Sequence, residues 1–189
     1  VAIELPGEVV SFLQFIGVNW PNVNMGARLR RRGPDRMTDT RERPALQELR
    51  DALSGTATFE FHSLDIESAC RQYTEDGYDV TPQLREFLEH YGEITVTWMW
   101  RQREQQLTTS VETTLESTHA TPRNVRVLSK RLDTPVLLVG TVFSTEECVL
   151  LAENGDVLFY GDAGFQRVAN GFENAVRALV AGDWDKSFF

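Results

Sequence analysis

The sequence predicts an α+β fold: a mixed, mostly antiparallel sheet flanked by helices, with five or six strands. Three observations predict it. Val136 to Phe143 (VLLVGTVF) is almost wholly apolar and rich in β-branched residues, as suits a strand buried on both faces. Cys148 to Glu153 and Asp156 to Tyr160 are apolar runs that flank Asn154-Gly155, a dipeptide suited to the two positive-φ positions of a type I′ hairpin turn. Phe172, Ala175, Val176, Leu179 and Val180 then fall at i, i+3, i+4, i+7 and i+8, the stripe of an amphipathic helix that Gly182 can cap.

A two-residue turn at Asn154-Gly155 sets Glu153 opposite Asp156, Ala152 opposite Val157, Leu151 opposite Leu158 and Leu150 opposite Phe159. Both faces of that hairpin are apolar, so each needs a cover. The hairpin is expected at the sheet centre, with Glu93 to Arg101 nearer solvent. In that segment Ile94, Val96, Trp98 and Trp100 alternate strictly with Thr95, Thr97, Met99 and Arg101.

The remaining elements follow from local chemistry. Pro6 to Ile16 reads as a helix, with proline in its first turn and Gly17 at its end. Gly26 to Arg43 is an arginine-rich stretch around Gly33-Pro34, without interleaved aromatic residues, and reads as a solvated linker. Pro44 to Leu53 is a helix with Leu46, Leu49 and Leu53 inward, and Thr56 to Phe61 is a short strand. Asp65 caps a helix carrying Ile66, Ala69, Cys70 and Tyr73; Thr81-Pro82 opens another carrying Leu84, Phe87, Leu88 and Tyr91. Gln102 to Gln106 is polar and turn-like, while Leu107 to Leu115 is β-rich and is expected to pair with the preceding strand. Thr121-Pro122 opens a helix with Val125, Leu128 and Leu132 inward. The expected organisation is a helical segment at 1–24, a basic linker at 25–43 and a domain at 44–189.

Composition narrows the function. The 189 residues are 41% hydrophobic and 25% charged, ordinary globular material able to bury a core. No apolar run approaches the ~20 residues of a membrane span, and no secretory leader pattern opens the chain, so no membrane association and a cytoplasmic location are expected. The net charge of −9 is uneven. Met25 to Arg50 holds eight Arg against four acids, whereas Glu60 to Glu93 holds nine acids and two Arg. An acidic body disfavours nucleic acid and favours a basic protein partner.

Chemistry finds no motif. HExxH, CxxC, GxSxG, the Walker loop and GxGxxG do not occur. His62, His90 and His119 lack metal-ligand spacing, and Cys70 and Cys148 read as buried, reduced thiols. No catalytic, cofactor-binding or metal-binding residues are assigned.

The order of the C-terminal pieces resembles the third group of the SUKH superfamily. The residues that carry it are Pro135-Val-Leu-Leu-Val-Gly140, Val149-Leu-Leu-Ala-Glu-Asn-Gly-Asp-Val157, Gly164-Phe165, Ala175, Leu179 and Gly182-Asp-Trp184. Upstream, Gly77-Tyr-Asp-Val-Thr-Pro82, Phe87-Leu88 and Tyr91-Gly-Glu93 match the family's first helix and the start of its sheet. The resemblance spans Leu46 to Phe189 and implies an immunity protein, not an enzyme, that binds and neutralises a cognate polymorphic toxin. Members of this group accompany actinobacterial nucleic-acid deaminases, so a deaminase or nuclease is the implied partner. An intracellular adaptor on the same scaffold, or an enzyme of unknown type, stays open. Glu4 to Asn24 resembles instead the start of WXG-like polymorphic toxins; it is either an appended helix or a join to a neighbouring toxin gene. Charge and expected exposure, not the resemblance, nominate partner-binding residues: Glu75, Asp76 and Asp79 around Gly77, Glu146 and Glu147 before the hairpin, and Asp162 after it. Trp100 is the aromatic candidate.

Overall fold

The computed structural model describes residues 43–117, 119, 121–143, 147–162 and 164–187. In chain order these form α1 (Pro44–Ala52), β1 (Ala57–Phe61), α2 (Ile66–Glu75), α3 (Pro82–Tyr91), β2 (Ile94–Trp100), β3 (Arg103–Thr108), α4 (Val111–Leu115), α5 (Pro122–Arg131), β4 (Val136–Val142), β5 (Glu147–Ala152), β6 (Asp156–Gly161), β7 (Gly164–Asn170) and α6 (Phe172–Ala181). The α+β class is as expected. The sheet is larger than expected, with seven strands in sequence order, and every neighbouring pair is antiparallel. The segment expected at 1–24 lies outside the described residues, as does the linker at 25–43 apart from Arg43, whose guanidinium donates to the Gly92 carbonyl at 2.7 Å.

The helix starts follow their caps. The Asp65 carboxylate accepts from the Glu67 and Ser68 amides, and the Thr81 and Thr121 hydroxyls accept from Leu84 and Asn124, each just before a proline. These caps aim apolar stripes at the sheet. Leu46 and Leu49 of α1, Tyr73 of α2, Leu84 and Leu88 of α3, and Phe172 and Leu179 of α6 pack on one face, over Ile94, Val96, Trp98, Val149 and Phe159. On the other face Val125 and Leu128 of α5 cover Leu138, Cys148, Leu150, Leu158 and Phe165. Each face of the β5–β6 hairpin is thus covered, as its composition requires.

β4 is buried along its whole length, but β3 pairs with it only through Leu107–Val142 and Thr108–Thr141. At Gly140 the two strands come so close that a Cβ would stand 2.6 Å from the Thr108 carbonyl oxygen. Beyond that point β3 has left the sheet. The Tyr73 hydroxyl of α2 takes its place there and donates to the Leu138 carbonyl at 3.2 Å. Burial drives the Tyr73 phenol pKa well above its ordinary value, so it stays a donor.

Four local expectations are corrected. The β5–β6 register is one residue off: Leu151 faces Val157 and Leu150 faces Leu158. Gly155 has φ +86° but Asn154 is not left-handed, and the Gly155 amide bonds to the Ala152 carbonyl at 2.9 Å. The loop is therefore a three-residue turn with a glycine bulge rather than a two-residue I′ turn. The two-residue turn falls instead at Arg101 and Gln102, with φ of 48° and 64°, and it sets Trp100 opposite Arg103. Residues 103–106, read as a turn, are consequently strand. Residues 111–115, read as strand, form α4, because the Thr108 and Thr109 hydroxyls bond backbone groups and Glu93 Oε1 accepts the Val111 amide at 2.8 Å. Finally, β7 escaped the sequence reading: the ladder steps from Val157–Ala169 to Leu158–Arg167, and this bulge breaks the alternation of its residues.

Two predictions follow from this packing. Leu150→Ala should lose about 2–5 kcal/mol. Gly155→Val should lose roughly 1–2 kcal/mol or more from the left-handed backbone alone, with its Cβ also crowding Asn170 Nδ2 at 3.3 Å. Urea denaturation midpoints equal to wild type for both would remove this hairpin from the core. The second concerns acid. Asp156 accepts from the Arg167 guanidinium at 2.7 Å and from Asn170 Nδ2 at 3.0 Å, and Arg167 foremost holds its carboxyl below the ordinary 3.8. The stabilisation is present above pH ~4 and is lost as pH falls through the folded-state value. Asp156→Asn should flatten the acid side of the melting-temperature profile as pH falls below about 4; an unchanged profile would show that the pair contributes nothing.

Candidate partner-binding surface

An antiparallel sheet in sequence order brings alternate turns to the same end. The end of β2, the β4–β5 connection and the β6–β7 turn therefore share one end, which places Trp100, Glu147 and Asp162 there. Glu146 lies outside the described residues.

Trp100 is half-buried in an aromatic set. Its ring centroid lies 6.3 Å from Phe143 and 6.4 Å from Trp184. The Arg101 guanidinium covers it at 4.7 Å, and Lys186 covers Trp184 at 4.1 Å. Trp184 Nε1 donates to Gln166 Oε1 at 3.2 Å, and Gln166 Nε2 donates to the Lys186 carbonyl at 2.8 Å. The chain after α6 is thereby fastened across the sheet end. Trp98, by contrast, is core. Asp162 is exposed and stands 3.6 Å from His119 Nε2; Glu147 is half-buried.

The other three acids lie elsewhere. Glu75, Asp76 and Asp79 are exposed on the α2–α3 connection, whose Gly77 packs beside Pro122 at the start of α5. Asp79 and Arg126 line a cleft of about 140 Å³ between this connection, α5 and β4. Helix α5 itself carries Arg123, Arg126, Lys130 and Arg131 and no acid. The nominated acids thus fall into two groups, one of them bordered by a basic helix.

A third place was missed by sequence reasoning. Gln83, Glu86, Phe87, His90 and Tyr91 of α3 and Phe172 and Glu173 of α6, with Leu151, Gly155 and Gly171, line a cleft of about 330 Å³. The rings of Phe87, Tyr91 and Phe172 meet pairwise at centroid distances of 5.3, 5.0 and 4.8 Å. The Tyr91 hydroxyl donates to the Glu173 carboxylate. Burial first, then that carboxylate, raises the Tyr91 phenol pKa. In the sequence these residues read as two separate helical stripes, and nothing local announces that the stripes meet.

Cys148 is buried against the Ser117 hydroxyl at 3.3 Å, and burial pushes its thiol pKa up, away from the thiolate. Cys70 is likewise buried and unpaired with another cysteine. Among the described residues no His, Cys, Asp and Glu side chains gather in threes to hold a metal, and no helix is long and apolar enough to cross a membrane.

A family model described as SUKH-3 immunity protein matches residues 62–182, from the end of β1 to the glycine that caps α6. No curated protein and no solved structure matches the chain. The match leaves out residues 1–61 and so lends nothing to the toxin-like resemblance of Glu4 to Asn24. Its span holds six of the seven strands, the two-sided core and the α3–α6 cleft, and the chain belongs to the SUKH-3 immunity protein family.

Proposed function

We propose that the protein is an antitoxin that binds a cognate polymorphic toxin in the cytoplasm and blocks the toxin's active or substrate-binding face. A nucleic-acid deaminase or nuclease is the first toxin class to test. The observation that carries this reading is the family match over residues 62–182. Charge supports the toxin class: a protein that handles nucleic acid presents a basic face to phosphates, and Glu75, Asp76, Asp79 and Asp162 are exposed here. The test is co-expression with the C-terminal domain of a toxin encoded beside this gene. Protection of growth and co-purification are expected; a toxin that stays lethal and unbound sinks the reading. Association should slow at least several-fold as added salt shortens the Debye length from about 10 Å to about 3 Å. Reversing Glu75, Asp76 and Asp79, or Glu146 and Glu147, to Lys should weaken binding while leaving the melting temperature in place. A salt-indifferent on-rate, with reversals that protect as well as wild type, would shift the interface to apolar contacts around Trp100.

Residues 1–24 and the part of the linker 25–43 that precedes Met37 form, in this proposal, an appendage that neither the fold nor toxin binding needs. A chain beginning at Met37 keeps Arg43 and its bond to Gly92. It should be soluble, melt within a few degrees of the full chain and protect equally well. Aggregation or a much lower melting temperature would place the opening helix inside the core.

A further inference from the structure

The α3–α6 cleft has a floor and a rim of different chemistry. The floor is the three-ring cluster of Phe87, Tyr91 and Phe172; Phe87 and Phe172 are buried and Tyr91 is half-exposed. The rim carries Glu86 and Glu173. No Lys or Arg lines the cleft, and neither carboxylate makes an ion pair among the described residues. Glu173 sits in the first turn of α6, whose positive end steadies its charge. α3 ends at Tyr91 and directs the negative end of its dipole the same way. His90 Nδ1 is turned inward to the Glu86 carbonyl at 2.8 Å, along its own helix.

Such a cleft selects its occupant. An anion would meet two carboxylates and a helix C-terminus, and the positive end of α6 is already matched by Glu173. A purely apolar group would cover those carboxylates without pairing them, which is costly. A divalent metal would find aromatic rings where it needs further oxygen ligands. A planar cation meets both requirements, with the Tyr91 ring to stack on and carboxylates to accept its N–H donors.

We infer that this cleft is the anchor pocket for a basic side chain of the toxin, an arginine foremost, stacked on the half-exposed Tyr91 ring and paired with Glu173 and Glu86. The inference rests on the antitoxin reading for the identity of the partner, but the pocket's chemistry can be tested without the toxin. The full chain, labelled with ¹⁵N, is titrated separately with the methylamides of N-acetylarginine, N-acetyllysine and N-acetylcitrulline, the last a neutral isostere. The arginine amide should shift the amides of Glu86 to Tyr91, Gly155 and Gly171 to Glu173, with a dissociation constant of about millimolar order. The lysine amide should act more weakly, and the citrulline amide should leave these resonances in place. Glu86→Gln should weaken arginine binding several-fold, and Glu86→Gln with Glu173→Gln should abolish it. Glu86 is exposed, so the single variant tests the pocket without endangering the fold. Equal shifts with citrulline, shifts spread evenly over all acidic surfaces, or none at all would overturn the inference. Micromolar or tighter binding of the amino-acid amide alone would overturn the protein-anchor assignment in favour of a free cationic ligand. With a toxin in hand, the double variant should bind it at least tenfold more weakly. If toxin capture persists undiminished, the pocket falls and the antitoxin reading stands. If neither form captures toxin while the arginine shifts remain, the antitoxin reading falls and the cationic pocket stands.

Discussion

The fold depends on how the first half of β4 is enclosed. This segment is buried on both faces and along both edges, so each of its backbone groups needs a partner inside the protein. β5 supplies one edge, interrupted by a bulge at Val139. β3 supplies the other only at Thr141 and Val142, then turns away into α4. The Tyr73 hydroxyl fills part of the gap, and the ring that carries it belongs to the main core. One side chain thus ties α2 to the sheet where strand pairing stops. Gly140 permits the divergence, since only a residue without a Cβ lets β3 come so close before leaving.

Enclosing β4 leaves the sheet lopsided. One face is covered by α1, α2, α3 and α6; the other has α5 over β4 to β6. Towards β1 that second face is polar. The registers set Glu60, Thr95, Thr108 and Thr141 in one row, and Thr58, Thr97 and Gln106 in the next. Met99, at 62% exposure, is the large apolar residue that stands out there. The net charge of −9 is equally uneven, because α5 carries four cations and sets Arg126 in one cleft with Asp79. A partner would meet a patterned surface in which neighbouring patches differ in sign, and such patterning fixes orientation as well as attraction.

The sequence was most legible where local chemistry decides structure. The caps at Asp65, Thr81 and Thr121 and the stripes behind them are visible because a helix end and a 3.6-residue period are local properties. Strand register was less legible. Asn154-Gly155 suits two turns that differ by one residue, and since both faces of β5 and β6 are apolar, burial does not choose between them. The observed turn is held within the loop by the Asp156 amide donating to Asn154 Oδ1, and from outside the hairpin by Asn170 Nδ2 bonding the Asn154 carbonyl and Arg167 bonding Asp156. Conversely, the Arg101-Gln102 turn carries no glycine or asparagine to announce it and is held by the pairing of β2 with β3. The candidate site was the least legible part. Trp100 could be picked out as an aromatic residue, but not its cover of Arg101 and Trp184. Phe87, Tyr91 and Phe172 each read as core because a helical stripe does not reveal that it meets another at an open cleft.

The hairpin turn and the cleft are one assembly. Gly155 closes the β5–β6 loop and also lines the cleft, and its carbonyl accepts the Gly171 amide at 2.8 Å. Gly171 is the residue before α6, so this bond sets where the helix begins. Phe172 and Glu173 follow at once. They reach α3 through the contact of Phe172 with Phe87 and the Tyr91–Glu173 hydrogen bond. The position of the Glu173 carboxylate over the aromatic floor is therefore inherited from a glycine bulge eighteen residues earlier and from the Asn170 side chain that clasps it. A loop-borne acid such as Asp162 has no comparable support, as its contact is an exposed carboxylate beside His119. Rigid placement is what lets a charged group discriminate between partners instead of merely attracting them. On that ground the cleft, and not the exposed acidic loops, is the part of this surface built to be specific.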